Sequence, residues 1–173
     1  MTREEAVALL VKNKVRCVVF DVDGVLTDGS IIVDADGKEL FKTFNVKDGL
    51  GIQMLAKAGF DLAIITGRES SIVVHRAEVL GIRHLYQGQL EKTAAFENLL
   101  SKLGIAESQV VYIGDDRPDV PLLKRVGFSA CPADAHPSAV FAAMWKSKFN
   151  GGCGAVRELA DLLLEAKEKI DAD

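Results

Sequence analysis

No apolar run in this 173-residue chain approaches the roughly 18 residues that a membrane span requires, so no membrane partner is expected. Cysteine is scarce. Cys17, Cys131 and Cys153 are odd in number and far apart, with the spacing of neither a zinc knuckle nor a redox dithiol. That excludes a disulfide-stapled mini-protein. Positive charge is not in excess either: 21 basic residues stand against 25 acidic ones, a formal net charge of −4. Such a balance disfavours nucleic acid as the main partner. The opening Met1-Thr2-Arg3-Glu4-Glu5 lacks the apolar stretch of a signal peptide, and a reducing cytoplasm is the expected location. His75 and His84 have no Ser or Cys at a recognisable motif spacing, so a hydrolase triad has no support. Repeats, low-complexity tracts and long linkers are missing, and residues 1–173 are expected to form one domain.

What the chain does have is apolar content, 49%, ample for a core, with 27% charged residues for a surface. Apolar runs of strand length alternate with segments of helical period, the pattern of a parallel sheet wrapped by helices. Strands are predicted at 15–20, 62–65, 84–86, 110–113 and 128–131. Thr2 and Glu5 can form a capping box for a first helix. Further helices are predicted at 50–58, 70–80, 91–103, 120–126 and 155–170, with His136-Pro137 as another helix start. Residues 31–33 and 39–44 read as a hairpin around Asp34-Ala35-Asp36-Gly37. Asn150-Gly151-Gly152 reads as a flexible hinge, and Trp145 as a packing or interface residue.

In a parallel α/β sheet, ligand-binding residues gather just past the carboxyl ends of the strands. There the chain reads Asp21-Val22-Asp23-Gly24-Val25-Leu26-Thr27, then Thr66-Gly67-Arg68, then Lys92, then Gly114-Asp115-Asp116 with Asp119 close behind. Taken singly, each is ordinary: an Asp-x-Asp at a strand end is usually a turn, and a lysine at a helix start is usually solvated. The joint pattern carries the weight, because each residue type has a task in phosphoryl transfer. A carboxylate can attack phosphorus to give an acyl phosphate that water then cleaves. A divalent cation must screen the two anions, and Mg²⁺ suits oxygen ligands. A second carboxylate can protonate the leaving alcohol and then activate water, while Thr66 and Lys92 hold phosphate oxygens.

This combination resembles the haloacid dehalogenase superfamily of phosphatases. Three further stretches narrow it: Phe44-Asn45-Val46-Lys47-Asp48-Gly49, Tyr86-Gln87-Gly88-Gln89 and Gly151-Gly152-Cys153-Gly154-Ala155-Val156-Arg157-Glu158. They are similar to segments of the 3-deoxy-D-manno-octulosonate 8-phosphate phosphatases of lipopolysaccharide precursor synthesis. The resemblance implies a Rossmann-like parallel sheet flanked by helices, a short β-hairpin flap at about 30–45, no cap domain, and a C-terminal tail and helix at about 150–173. It implies Asp21 as nucleophile and Asp23 as general acid/base. It also implies Mg²⁺ on the Asp21 carboxylate, the Asp23 carbonyl and Asp115, supported by Asp116 and Asp119.

Substrate contacts are implied at Asn45, Val46, Lys47, Asp48, Gly49, Gln53, Gly67, Arg68, Arg76 and Lys92, within a homotetramer whose neighbouring subunits supply the missing lid. Arg68 favours the eight-carbon acid, since nine-carbon relatives of the sialic acid type tend to carry Glu there. A non-catalytic module of the same fold would be expected to lose Asp21. Two positions depart from the pattern: Gln53 stands where some members carry Arg, and Cys153 replaces the Arg of a Gly-Gly-Arg-Gly tail.

Overall fold

The computed structural model describes residues 1–172. Helix α1 (Arg3–Lys12) starts at the expected capping box, where the Thr2 hydroxyl accepts the Glu5 N–H and the Glu5 carboxylate accepts the Thr2 N–H. Strand β1 (Cys17–Phe20) follows, then a hairpin of β2 (Ile32–Val33) and β3 (Glu39–Phe41), then α2 (Val46–Lys57). Next come β4 (Asp61–Ile65), α3 (Ser71–Leu80), β5 (His84–Tyr86), α4 (Thr93–Leu103) and β6 (Val110–Ile113). The chain ends with α5 (Val120–Leu123), β7 (Phe128–Cys131), α6 (Pro137–Ala142), β8 (Trp145–Lys146) and α7 (Ala155–Ala172).

Six strands form one parallel sheet in the order β5-β4-β1-β6-β7-β8. Side chains alternate across it. Val18 and Phe20 of β1, Leu62 and Ile64 of β4, and Val111 and Ile113 of β6 pack with α1, α2, α3 and α7. Cys17, Val19, Ala63, Ile65, Val110 and Tyr112 face α4, α5 and α6. Burial on both faces explains why the strands read as unbroken apolar runs.

The chain leaves β1 for β4 on one side and later returns to β6 on the other, so the strand order reverses at β1. Such a switch point opens a crevice at the carboxyl ends of β1 and its neighbour. The register aligns Phe20 with Ile64 and with Ile113, which brings Asp21, Thr66 and Asp115 to that one edge. The only insertion between β1 and α2 is the two-stranded hairpin, so no cap domain is present among the described residues. No helix among them is long and apolar enough to cross a membrane.

Several expected boundaries shift. Helix α2 begins at Val46 rather than 50, because the Asn45 side chain accepts the N–H groups of Lys47 and Asp48. Helix α4 begins at Thr93, and the helix expected over 120–126 shortens to α5 behind a 3-10 turn at Arg117–Asp119. Trp145, expected to pack, does so from a sixth strand too short to leave a pattern. His136 accepts the Ser138 N–H at the start of α6, as its position implied.

The expectation of a flexible hinge at Asn150-Gly151-Gly152 is corrected outright. Gly151 N–H donates to Asp134 Oδ1 at 2.9 Å and Gly152 N–H to the Val25 carbonyl at 2.9 Å. A Cβ on Gly151 would lie 1.8 Å from the Gly24 carbonyl oxygen. These glycines are small because another backbone lies against them, not because the chain must bend freely. Gly151→Ala should therefore lower stability by about 1–3 kcal/mol in urea unfolding, the usual cost of overpacking. A change within experimental error would restore the hinge reading.

Candidate active site

The loop after β1 is wound tightly. The Val25, Leu26 and Thr27 N–H groups all donate to the Val22 carbonyl, and the Thr27 hydroxyl accepts the N–H groups of Gly24 and Gly29. This holds Asp21 at the strand end, where Oδ1 accepts the Val22 N–H at 2.7 Å. Its Oδ2 lies 2.8 Å from Lys92 Nζ.

Lys92 is the centre of the cluster. Only 2% of its side chain is exposed, and it caps the N-terminal end of α4, where the helix dipole disfavours a cation. Carboxylates offset both costs: Asp119 Oδ1 sits 2.6 Å from Nζ, and the Tyr112 hydroxyl 3.2 Å. Burial alone would lower the Lys92 pKa, but Asp21 and Asp119 outweigh it and raise the pKa above the ordinary value. Lys92 therefore stays charged. Asp119 is fully engaged, since Oδ1 also accepts the Tyr112 hydroxyl and Oδ2 accepts the N–H groups of Asp115 and Asp116.

One lysine faces three carboxylates here. Asp21, Asp115 and Asp119 each place an oxygen within 4.8 Å of the others. Burial, then the Asp119 charge, push Asp21 up to about 6 against the pull of Lys92. Burial, then Asp21, Asp119 and Asp116, push Asp115 up to about 7. Gly24 makes the close approach possible: at φ +84° a Cβ there would meet Asp115 Oδ2 at 2.2 Å. An all-oxygen, over-acidic donor set fits a hard divalent cation. Asp21 and Asp115 have oxygens to give to it, whereas Asp119 is spent on the protein. Asp116 lies at the rim, exposed, accepting the Arg117 N–H at the head of the 3-10 turn.

Thr66 is buried at the end of β4, its backbone paired with the Tyr86 carbonyl and the Gln89 N–H. Gly67 follows against Leu90. Asp23 pairs with other cations. Its Oδ1 accepts from Lys42 Nζ at 2.6 Å, and its Oδ2 faces Arg68 Nε at 3.9 Å. Lys42, just past β3, carries no motif and was not anticipated. Tyr112 was also missed, as it reads as an ordinary core residue of β6.

The remaining expected contacts gather elsewhere. Val46, Lys47, Gly49, Gln53 and Arg76 line a second cleft of about 390 Å³ with Leu50 and Leu80. Arg76 lies 5.1 Å from the Phe44 ring centroid, its Nε buried without a hydrogen-bond partner. Gln53 donates to the Val79 carbonyl at 3.3 Å. Among the described residues, no hydrogen bond or ion pair joins this group to Asp21, Asp23 or Lys92. Asn45 Oδ1 caps α2, and Asp48 accepts the N–H groups of Gly154 at 3.2 Å and Arg157 at 2.8 Å. Asp48 thus ties α2 to α7. Cys153 lines a further cleft with Lys47, Phe149, Arg157 and Asp161.

Comparison with known proteins places this geometry. The haloacid dehalogenase-like hydrolase family matches residues 80–159. The chain is 49% identical over 159 residues to 3-deoxy-D-manno-octulosonate 8-phosphate phosphatase KdsC of Escherichia coli (strain K12), covering 92% of this chain and 84% of that one. Among solved structures, the 3-deoxy-D-manno-octulosonate 8-phosphate phosphatase of Yersinia pestis superposes with a TM-score of 0.90 at 46% identity, over 96% of this chain and 89% of that one. The Moraxella catarrhalis phosphatase of the same name, in complex with a magnesium ion, a phosphate ion and a KDO molecule, gives a TM-score of 0.90 at 41% identity. It matches 98% of this chain and 95% of its own.

The raised carboxyls carry a pH signature. Folded Asp21 and Asp115 hold protons that the unfolded chain releases near its ordinary value of 3.8. The folded state therefore binds more protons between about pH 4 and 7, and metal-free stability falls as pH rises through that window. Thermal unfolding should show the Tm falling with rising pH without divalent cation, and Asp115→Asn should flatten the slope. A wild-type Tm that rises across the window would contradict the cluster's electrostatics.

Proposed function

The chain belongs to the haloacid dehalogenase-like hydrolases, and from that premise we propose that it removes phosphate from 3-deoxy-D-manno-octulosonate 8-phosphate. The single observation that carries the reading is the buried junction of Asp21, Lys92 and Asp119, with an Asp115 oxygen within 4.8 Å of both aspartates, at the switch point of the sheet. Sequence identity of 49% to the Escherichia coli phosphatase supports the substrate.

In this reading Asp21 is the nucleophile. Its carboxylate oxygen attacks phosphorus, and the bond from phosphorus to the sugar oxygen breaks. Asp23 gives its proton to the departing alkoxide, then takes one from the water that attacks the aspartyl phosphate, so that inorganic phosphate leaves and Asp21 is restored. Lys92 and the Thr66 hydroxyl hold the phosphate oxygens, and Lys92 balances the charge of the transition state. Mg²⁺ fits the carboxylates of Asp21 and Asp115 with the Asp23 carbonyl, and when bound it screens nucleophile from phosphate. Asp119 fixes Lys92 and the Asp115 backbone, and Asp116 shapes the turn that presents Asp115.

Arg68, half exposed beside Asp23, carries a guanidinium that suits the sugar carboxylate, and its presence where nine-carbon relatives tend to carry Glu favours the eight-carbon acid. Residues 1–173 act as one phosphatase domain. Exposed Ile31, Val33, Leu40 and Phe41 on the hairpin and Val46 and Leu50 on α2 offer an apolar face to other copies of the chain, in keeping with the homotetramer that the family resemblance implies. The second cleft, with Val46, Lys47, Gly49, Gln53 and Arg76, together with the neighbouring Asn45 and Asp48, supplies further substrate contacts.

Phosphate release with Mg²⁺ tests the reading. Wild type should favour the octulosonate 8-phosphate by kcat/KM over nine-carbon 9-phosphates and hexose phosphates. Asp21→Asn should lose about 10³-fold or more in kcat. A preference for hexose phosphates, or an unimpaired Asp21→Asn, would overturn it.

A further inference from the structure

The hairpin between β1 and α2 does more than fill space beside the site. Lys42, one residue beyond β3, has only 2% of its side chain exposed, although Val33, Leu40 and Phe41 of the same two-stranded ribbon are about half exposed. Its Nζ lies 2.6 Å from Asp23 Oδ1 and 2.8 Å from Glu39 Oε1. Glu39 accepts the Ser70 hydroxyl through its other oxygen at 2.5 Å, and the Ser70 N–H donates to Gln87 Oε1 at 2.9 Å. A continuous polar chain therefore runs from Asp23 through Lys42 and Glu39 to the loops after β4 and β5. Arg68 Nε, 3.9 Å from the other Asp23 oxygen, completes the surroundings.

Burying a lysine is costly, and a buried ion pair is weak evidence of stabilisation by itself. Here the pair fixes one particular carboxylate. Asp23 follows Val22 in a loop wound around the Val22 carbonyl, and among the described residues no backbone N–H donates to its side chain, unlike Asp21 and Asp119. Its recorded partners are the Lys42 ammonium and, more distantly, the Arg68 guanidinium.

We propose that Lys42 is a positioning residue for Asp23: it orients the carboxyl that passes a proton to the leaving oxygen, and Glu39 and Ser70 hold Lys42 in place. The hairpin then contributes to proton transfer from within its own chain, apart from any covering role. This inference rests on the assignment of Asp23 as acid/base in the proposed function.

Leaving groups separate this role from a structural one. A sugar alkoxide needs a proton as it departs, whereas the p-nitrophenolate ion is stable without one. kcat/KM reports events only up to the first irreversible step, the transfer of phosphorus to Asp21. Wild type, Lys42→Met, Lys42→Arg, Glu39→Gln and Asp23→Asn should be compared on the octulosonate 8-phosphate and on p-nitrophenyl phosphate, with thermal unfolding run alongside. For Lys42→Met the ratio of the two kcat/KM values should shift about 10-fold or more against the sugar phosphate, in the same direction as Asp23→Asn, within the span ascribed to general acid catalysis. Lys42→Arg should restore part of that ratio, and Glu39→Gln should shift it by less.

An equal loss on both substrates would mark Lys42 as structural, and no change in either would mark it as idle; each overturns the inference. Should Lys42→Met fail to fold, the Glu39→Gln ratio decides in the same way. A ratio shifted by Asp23→Asn but not by the Lys42 or Glu39 variants would sink the inference alone. A wild type inert on both substrates would sink the proposed function and this inference with it.

Discussion

Lys92 is a single ammonium ion closed off from water at the head of a helix, and the rest of the site is arranged around keeping it there. Asp21 and Asp119 approach it from two different strand ends, and Tyr112 reaches it from β6. Asp21 and Lys92 are far in sequence from each other and from the Tyr112 and Asp119 pair, which share β6 and the turn after it. Only a parallel sheet whose order reverses at β1 brings them to one point. The cluster nevertheless remains too acidic, because Asp115 adds a further carboxylate with no lysine of its own. That imbalance is the physical reason for a divalent cation in the proposed chemistry. It also explains why Gly24 must lack a side chain, since the Asp115 carboxylate fills the space.

Around this centre the protein uses backbone contacts where a larger relative of similar chemistry could use a covering domain. The glycine turn at Gly151-Gly152 lies against Gly24 and Thr27, and Asp48 pins the start of α2 to the start of α7. The hairpin is held by charge rather than by apolar packing, through Lys42 and Glu39. Its own hydrophobic residues are left facing outward, as are Val46 and Leu50. A short chain thus closes the inner half of its site itself and leaves an apolar rim exposed.

Much of this was legible in advance. Strands β1, β4, β6 and β7 are buried on both faces, so they appear as uninterrupted apolar runs, and the residues past their ends could be read off directly. Gly81 and Gly104 marked helix ends because both take a left-handed backbone there. The first turn of α2 was hidden: Val46 is exposed, two glycines interrupt the periodicity, and the start depends on the Asn45 cap. β8 has two residues, too few for any alternation. Gly151-Gly152 looked loose because local composition cannot show that a distant backbone lies against it. The part Asp48 takes in joining α2 to α7 was invisible, because its partners, the Gly154 and Arg157 amides, are more than a hundred positions away. Lys42 gave no signal, since nothing in the hairpin's composition says which lysine is turned inward.

The central claim is that the Lys92-bound carboxylate of Asp21, and no other acid in the cluster, takes the phosphoryl group. Acid quenching of the enzyme during turnover, borohydride reduction of the acyl phosphate and peptide mass spectrometry test this most directly. The account predicts conversion of Asp21 alone to homoserine. Modification at Asp23, Asp115 or Asp119, with Asp21 intact, would contradict it.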